Sequence, residues 1–175
     1  ETLSPDQESA LFLRGHDLWL SRRKTGEEVR LTWDGMEDCD YGRLVDYDAS
    51  ITMERTGYVQ HPLAVWSPDN RKFLTFKIDM RAVESIRPRL HSYRCPFPED
   101  SDRELPIVTL WLGDAEQGTL RQLDCEPYSF PLLLGNTSSS YARWLEDSSA
   151  VYFTWFSRGN KKARLCLCDA ETCEV

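Results

Sequence analysis

No apolar stretch in this chain approaches the roughly 18 to 20 residues of a membrane-spanning helix, so no membrane segment is expected. Histidine is scarce: His16, His61 and His91 are the only three, and none stands at a metal-ligand spacing or beside an obvious nucleophile. Glycine-rich phosphate loops, HExxH and calcium-loop patterns are missing. So is Gly-x-Ser-x-Gly, the strained turn that presents a serine nucleophile in hydrolases. The serine-rich run at 135–140 has the wrong spacing and reads as a loop. These absences leave no catalytic residue, no metal and no cofactor to be expected from these residues. Basic side chains are in the minority, 21 against 29 acidic, for a formal charge of −8 and a pI near 4.9. Such a surface repels phosphate backbones, so no nucleic acid partner is expected. The basic run at 158–164 reads as a solvated hairpin turn. Glu1-Thr2-Leu3-Ser4-Pro5-Asp6 lacks the basic start and apolar stretch of a secretory signal.

Six cysteines are too few to staple 175 residues as a miniprotein, and if all paired they would permit 15 connectivities. Cys166 and Cys168 fall on one face of a strand, with Cys173 close in sequence. A zinc site there would need a fourth ligand, which is absent locally. Cys39, Cys95 and Cys125 add no recognisable spacing.

Apolar residues make up 41% of the chain, enough to bury a core in one domain of this length. They alternate with polar residues in short runs and almost never recur at three and four residues. This predicts an all-β protein with strands at Ser9–Arg14, Asp17–Arg22, 28–33, 63–66, Lys72–Asp79, Ile107–Asp114, 150–157 and Ala163–Asp169. Turn residues punctuate them: Pro5-Asp6, Thr25-Gly26, Asp34-Gly35, Pro68-Asp69-Asn70, Gly113-Asp114 and Gly159-Asn160. Met80, Val83, Ile86 and Leu90 depart from the pattern and predict one short helix within 79–90.

Three segments repeat an order of features. Ser4-Pro5-Asp6, Ser67-Pro68-Asp69 and Leu145-Glu146-Asp147 each precede an apolar strand, followed by Leu18-Trp19-Leu20, Leu110-Trp111-Leu112 and Leu165-Cys166-Leu167. The units begin 63 and 78 residues apart, longer than a propeller blade of about 40 to 50 residues, so insertions are expected at 36–61 and 77–103. A small antiparallel sheet cannot cover its own two faces and must stack on neighbours. The expected fold is therefore a partial β-propeller of about three antiparallel blades with long insertions. Trp19, Trp66, Trp111, Trp144 and Trp155 would pack between blades. A sandwich with chance repeats is the plainer reading of the same strands.

The ordered set resembles the N-terminal β-propeller region of dipeptidyl peptidase IV enzymes, in the prolyl oligopeptidase group of serine peptidases. The residues that carry it are Ser4-Pro5-Asp6, His16 to Leu20, Gly26-Glu27, Arg30-Leu31-Thr32, Asp34-Gly35, Tyr41-Gly42, Val65 to Lys72, Asp79 to Val83, Tyr93 to Pro98, Pro106 to Leu112, Trp144, Val151-Tyr152-Phe153 and Ser157-Arg158-Gly159. The likeness implies that residues 1–175 are a fragment of such a domain, acting as scaffold and substrate gate for cleavage of dipeptides from peptide N-termini. The implied partners are a peptide substrate and the α/β-hydrolase domain of the parent chain, which would carry the Ser-Asp-His triad; the resemblance also admits a homodimer of the parent. A free-standing propeller module that binds protein or peptide is the alternative.

In that family a glutamate pair from the propeller holds the substrate α-ammonium, and it lies between the equivalents of Tyr41-Gly42 and Trp66-Ser67. Here that stretch has no adjacent acidic pair. Asp46, Asp48 and Glu54 are the substitutes it offers, with Glu54 at about the right distance before Trp66; a solvated loop carboxylate is the plainer reading of each.

Overall fold

Leu11, Leu13, Leu18 and Leu20 fall on one face and Phe12 and Trp19 on the other of two short apolar runs joined by Gly15-His16, and this pattern folds the segment into a tight hairpin. The structure, a computed structural model, describes residues 1–43, 56–57, 60–83, 85–86, 93–94, 106–128, 142–157 and 161–175. The hairpin strands are β2 (Ser9–Arg14) and β3 (Asp17–Arg22), flanked by β1 (Thr2–Leu3) and β4 (Glu27–Arg30) in a four-stranded antiparallel meander, order β1-β2-β3-β4. Gly15 makes the reversal at φ +65°, a region that most side chains avoid.

The second sheet is built around β7 (Lys72–Asp79) and β10 (Ile107–Asp114), paired along their full length. β11 (Thr119–Gln122) lies beyond β10. Two short strands share the other edge of β7: β6 (Val65–Trp66) pairs with Phe73 and Leu74, and β5 (Cys39–Tyr41) with Lys77 to Asp79. The third sheet is β12 (Ala142–Trp144), β13 (Ala150–Phe156) and β14 (Ala163–Asp169), in that order. A small pair is formed by β8 (Ser85–Ile86), which lies where the spacing predicts a helix, and β9 (Tyr93–Arg94). That expectation is overturned: β7 runs through Asp79, a turn closed by the Val83 N–H to the Met80 carbonyl at 2.9 Å follows, and Ser85–Ile86 is extended. Met80 and Val83 are buried because the turn folds them into the core, so their spacing reflects a turn rather than a helix face.

The repeat seen in the sequence is a repeat of hydrogen bonds. In the three first turns the Ser4, Ser67 and Leu145 N–H groups donate to the carbonyls of Ser9, Lys72 and Ala150. Their own carbonyls accept from Gln7, Asn70 and Ser148, each at positive φ. Asp6, Asp69 and Asp147 use Oδ1 to accept the amides of Glu8, Arg71 and Ser149. Aspartate bonds its own turn backbone in this way without strain.

Alternation then sorts the faces. Leu11, Leu18 and Leu20 of the first sheet meet Trp66, Phe73 and Ala115 of the second. The other face of the second sheet, with Leu74, Phe76, Ile78, Leu110 and Leu112, meets Val151, Phe153, Trp155 and Cys168 of the third. Trp144 pins the second junction by donating Nε1–H to the Val65 carbonyl at 2.9 Å. The molecule is thus an arc of three stacked antiparallel sheets, a partial β-propeller.

Candidate functional site

Asp46, Asp48 and Glu54 lie outside the described residues, as does most of the insertion that carries them. What the structure describes is the root of that insertion. Gly42 donates its N–H to the Phe76 carbonyl at 2.8 Å and accepts from the Leu63 N–H at 2.7 Å, so the two ends of the insertion are tied together on β7. Thr75 Oγ1 donates to the Leu63 carbonyl at 2.8 Å on the same edge. Gly42 sits at φ +59°, and a Cβ there would come within 3.1 Å of both the Leu63 nitrogen and Pro62 Cβ. The neck therefore requires glycine twice over, for its backbone and for its closeness.

Three paired carboxylates stand on the chain before this neck. Asp40, on β5 just before it, accepts at Oδ1 from His16 Nδ1 at 2.8 Å and from Arg43 Nη1 at 3.2 Å. Asp34 accepts from the Tyr41 hydroxyl at 2.7 Å and from Lys77 Nζ. Asp17, at the start of β3, accepts from the Thr32 hydroxyl at 2.8 Å, the Gly35 amide at 2.9 Å and Arg30 Nη2 at 2.7 Å. Burial works against the Asp17 charge, but the Arg30, Gly35 and Thr32 bonds outweigh it and hold the pKa below the usual aspartate value. Asp34 is lowered in the same way, burial being overcome by Lys77 and Tyr41. Burial, then the bond to Asp34, pushes the Tyr41 hydroxyl well above the ordinary phenol range.

These groups do structural work. Every oxygen described above already holds a partner from its own chain, and His16 bonds to a carboxylate rather than to a hydroxyl or thiol that it would activate. Among the described residues no group of three or more His, Cys, Asp or Glu side chains gathers as a metal site. Cys166 and Cys168 do share the face turned to the core, and burial raises both thiols, Cys168 to about 12. They sit there as apolar packing groups.

In the sequence Asp17 and Thr32 stand out only as strand residues and Asp34-Gly35 only as a turn, not as a cluster. Its available signal was an aspartate opening an apolar strand some fifteen residues before Thr-x-Asp-Gly, but nothing along the chain says that these ends meet.

The model of the family described as the dipeptidyl peptidase IV (DPP IV) N-terminal region matches residues 1–175. No curated protein matches the chain. Among solved structures it is similar to Porphyromonas gingivalis dipeptidyl peptidase 4, at 18% identity and TM-score 0.70, over 98% of this chain and 24% of that one. A second is a Bacteroides ovatus protein assigned as a dipeptidyl aminopeptidase IV, at 14% identity and TM-score 0.54, over 97% of this chain and 27% of that one. The chain spans about a quarter of the length of each of these structures.

Proposed function

The chain belongs to the family of dipeptidyl peptidase IV N-terminal regions, and from that premise we propose that it is a noncatalytic propeller segment of a serine dipeptidyl peptidase-like enzyme, serving as scaffold and substrate gate. The observation that carries this reading is the match of one family model over the whole chain, together with an insertion rooted by Gly42 and Leu63 on the edge of β7. In this role the triad belongs to an α/β-hydrolase domain of the parent chain, and the segment's task is to select peptides by their free amino terminus. An α-ammonium has a pKa near about 8 and is largely charged at neutral pH. A carboxylate held at a fixed distance from the nucleophile pairs with that charge and sets how many residues reach the scissile bond. Asp46, Asp48 and Glu54 are the carboxylates that the insertion supplies for this.

The test compares three substrates on the natural full-length protein: a Xaa-Pro chromogenic dipeptide, the same compound with its amine acetylated, and a longer peptide. Release of dipeptides from the free-amine substrates and loss of at least about a hundredfold in kcat/KM on acetylation is the expected result, about 2.7 kcal/mol of selection. Equal hydrolysis of the free and acetylated compounds, or no hydrolysis of any, removes the reading. The chain 1–175 alone is expected to hydrolyse none of them.

A further inference from the structure

The last hairpin turn of each sheet is built alike, with one exchange of residue. In the β3–β4 turn the Gly26 N–H donates to the Arg22 carbonyl at 2.9 Å, and in the β10–β11 turn the Gly118 N–H donates to that of Asp114 at 2.9 Å. The turn after β14 repeats the bond, from the Cys173 N–H to the Asp169 carbonyl at 3.0 Å. The donor is left-handed each time, at φ 72°, 65° and 64°. Glycine takes that region freely, whereas a Cβ is crowded there by its own backbone. Cysteine therefore strains the third turn where the other two are relaxed.

The strain has no local compensation. The other described non-glycine residues at positive φ are Gln7, Asp38, Asn70 and Ser148, and each carries a side-chain oxygen. Short side chains of that kind can bond to nearby backbone and so offset the conformation. A thiol is a weak donor and a weak acceptor, and gives little in return. What Cys173 has instead is a second thiol beside it.

Asp169 donates its N–H to the Glu174 carbonyl at 3.0 Å, so the chain after β14 folds back along it and Cys168 and Cys173 stand diagonally across that pair. Both pack on the apolar cluster between the second and third sheets, Cys168 fully buried and Cys173 half-buried. They share a face. Of the ionisable groups that act on the Cys168 thiol, Cys173 acts most strongly, ahead of Asp169 and Cys125.

We propose that Cys168 and Cys173 are a redox site: oxidation joins their sulfurs across the turn after β14, and the disulfide stiffens the part of the third sheet that the second sheet grips. The grip falls on the same turn. Lys72 Nζ donates to the Ala170 carbonyl at 2.7 Å and Arg121 Nη2 to that of Thr172 at 3.1 Å, while the Ala170 N–H donates to the Ser149 carbonyl at 2.9 Å. The structure shows the dithiol form, in which Cys168 packs as an apolar group. The site does not depend on the reaction proposed for the parent.

The exposure of the two thiols orders the chemistry. Cys173, which solvent reaches, attacks one sulfur of a small-molecule disulfide as its thiolate and expels the other sulfur as a thiolate, leaving a mixed disulfide. Cys168 then loses its proton and attacks Cys173 Sγ, which releases the second small thiolate. The two cysteines give up two protons and two electrons. The small disulfide takes the electrons and leaves as two thiols.

Glutathione disulfide on the natural full-length protein is the test. After the reaction is quenched in acid and the remaining thiols are alkylated, cleavage after Glu171 puts Cys168 and Cys173 on separate peptides that only a disulfide can hold together. The expected product is that linked pair, with Cys166 alkylated. Linkage of Cys168 to Cys125 or Cys166, glutathione retained on Cys173, or alkylation of both thiols overturns the proposal. Amide exchange of the segment 165–175 tests the stiffening, and there the oxidised protein should exchange at least about tenfold more slowly than the reduced one. Cys173→Gly restores the residue of the other two turns and separates strain from bonding. Its exchange should be no faster than that of the reduced parent, faster than that of the oxidised parent, and unchanged by glutathione disulfide. Equal exchange in the two redox forms of the parent, or a variant that still responds to the oxidant, would overturn the assignment.

Discussion

Gly35 lies directly on the backbone of His16: a Cβ built on Gly35 would stand 2.3 Å from the His16 carbonyl oxygen and 2.9 Å from the Asp17 nitrogen. The Gly35 amide also donates to Asp17 Oδ1, so this contact closes the loop after β4 onto the start of β3. Backbone cannot yield as a flexible side chain can. Gly35→Ala should therefore destabilise the chain by about 3 kcal/mol, the upper end of overpacking costs. Urea unfolding of the two proteins checks it, and a shift of less than about 0.5 kcal/mol would mean that the loop is free to move.

Inside the second sheet, Gly113 and Phe73 form a similar pair with a softer partner. They are directly opposite in the β7–β10 ladder, and a Cβ on Gly113 would fall 2.1 Å from Phe73 Cζ. The ring lies across the glycine and packs 5.1 Å from Trp66. Gly113→Ala should cost roughly 1–3 kcal/mol, and Phe73→Leu, itself destabilising, should recover part of that loss in the double variant. Additive costs in the double-mutant cycle would refute the contact.

Asp17 makes stability depend on pH in a definite direction. Its folded pKa is below the ordinary value of about 3.9, so its stabilising contribution is complete above that value and is lost as pH falls through it toward the folded pKa. Asp17→Asn should cost about 2 kcal/mol at pH 7, a figure that allows for the partial exposure of Arg30. The gap between the two proteins should narrow on acidification below about pH 4. A constant gap from pH 7 to pH 3 would show that the charge is not what matters. Asp34 is shifted in the same sense and should behave likewise.

Within the insertion, the proposed amine contact should report through KM. In the natural full-length protein, whichever of Asp46→Asn, Asp48→Asn and Glu54→Gln removes the ammonium partner should raise KM for free-amine substrates about tenfold or more and leave the acetylated control unchanged. The other two substitutions should change neither. Three silent variants would move the amine contact away from this insertion.

The strands of the long hairpins were legible because each carries an alternating pattern of its own: Ser9–Arg14, Asp17–Arg22, Lys72–Asp79, Ile107–Asp114 and Ala163–Asp169 stand where alternation puts them. β1, β6 and β12 were not read at their observed bounds, because two or three residues hold too little of a period-two pattern to announce a strand. Cys39–Tyr41 was hidden for another reason. It becomes a strand by borrowing the free end of β7 beside β6, and a strand defined by its partner has no signature of its own. The site was legible only as a region, since the carboxylates proposed for it lie in an insertion whose described root, Gly42 against Leu63, is a tertiary contact.

By itself the order of residues determined that the chain forms sheets, where their turns fall and that the unit recurs, because turn aspartates and alternating side chains act over a few neighbours. Only the tertiary structure decided which face each sheet turns to the next, that Asp6 answers to Asn70 and Asp69 to Ser148 across 64 and 79 positions, and that one outer face is covered with arginine while the other is left to leucine. Those outcomes depend on stacking. Stacking brings together groups that share no local sequence, and its energy comes from surfaces that exist only once the sheets have formed.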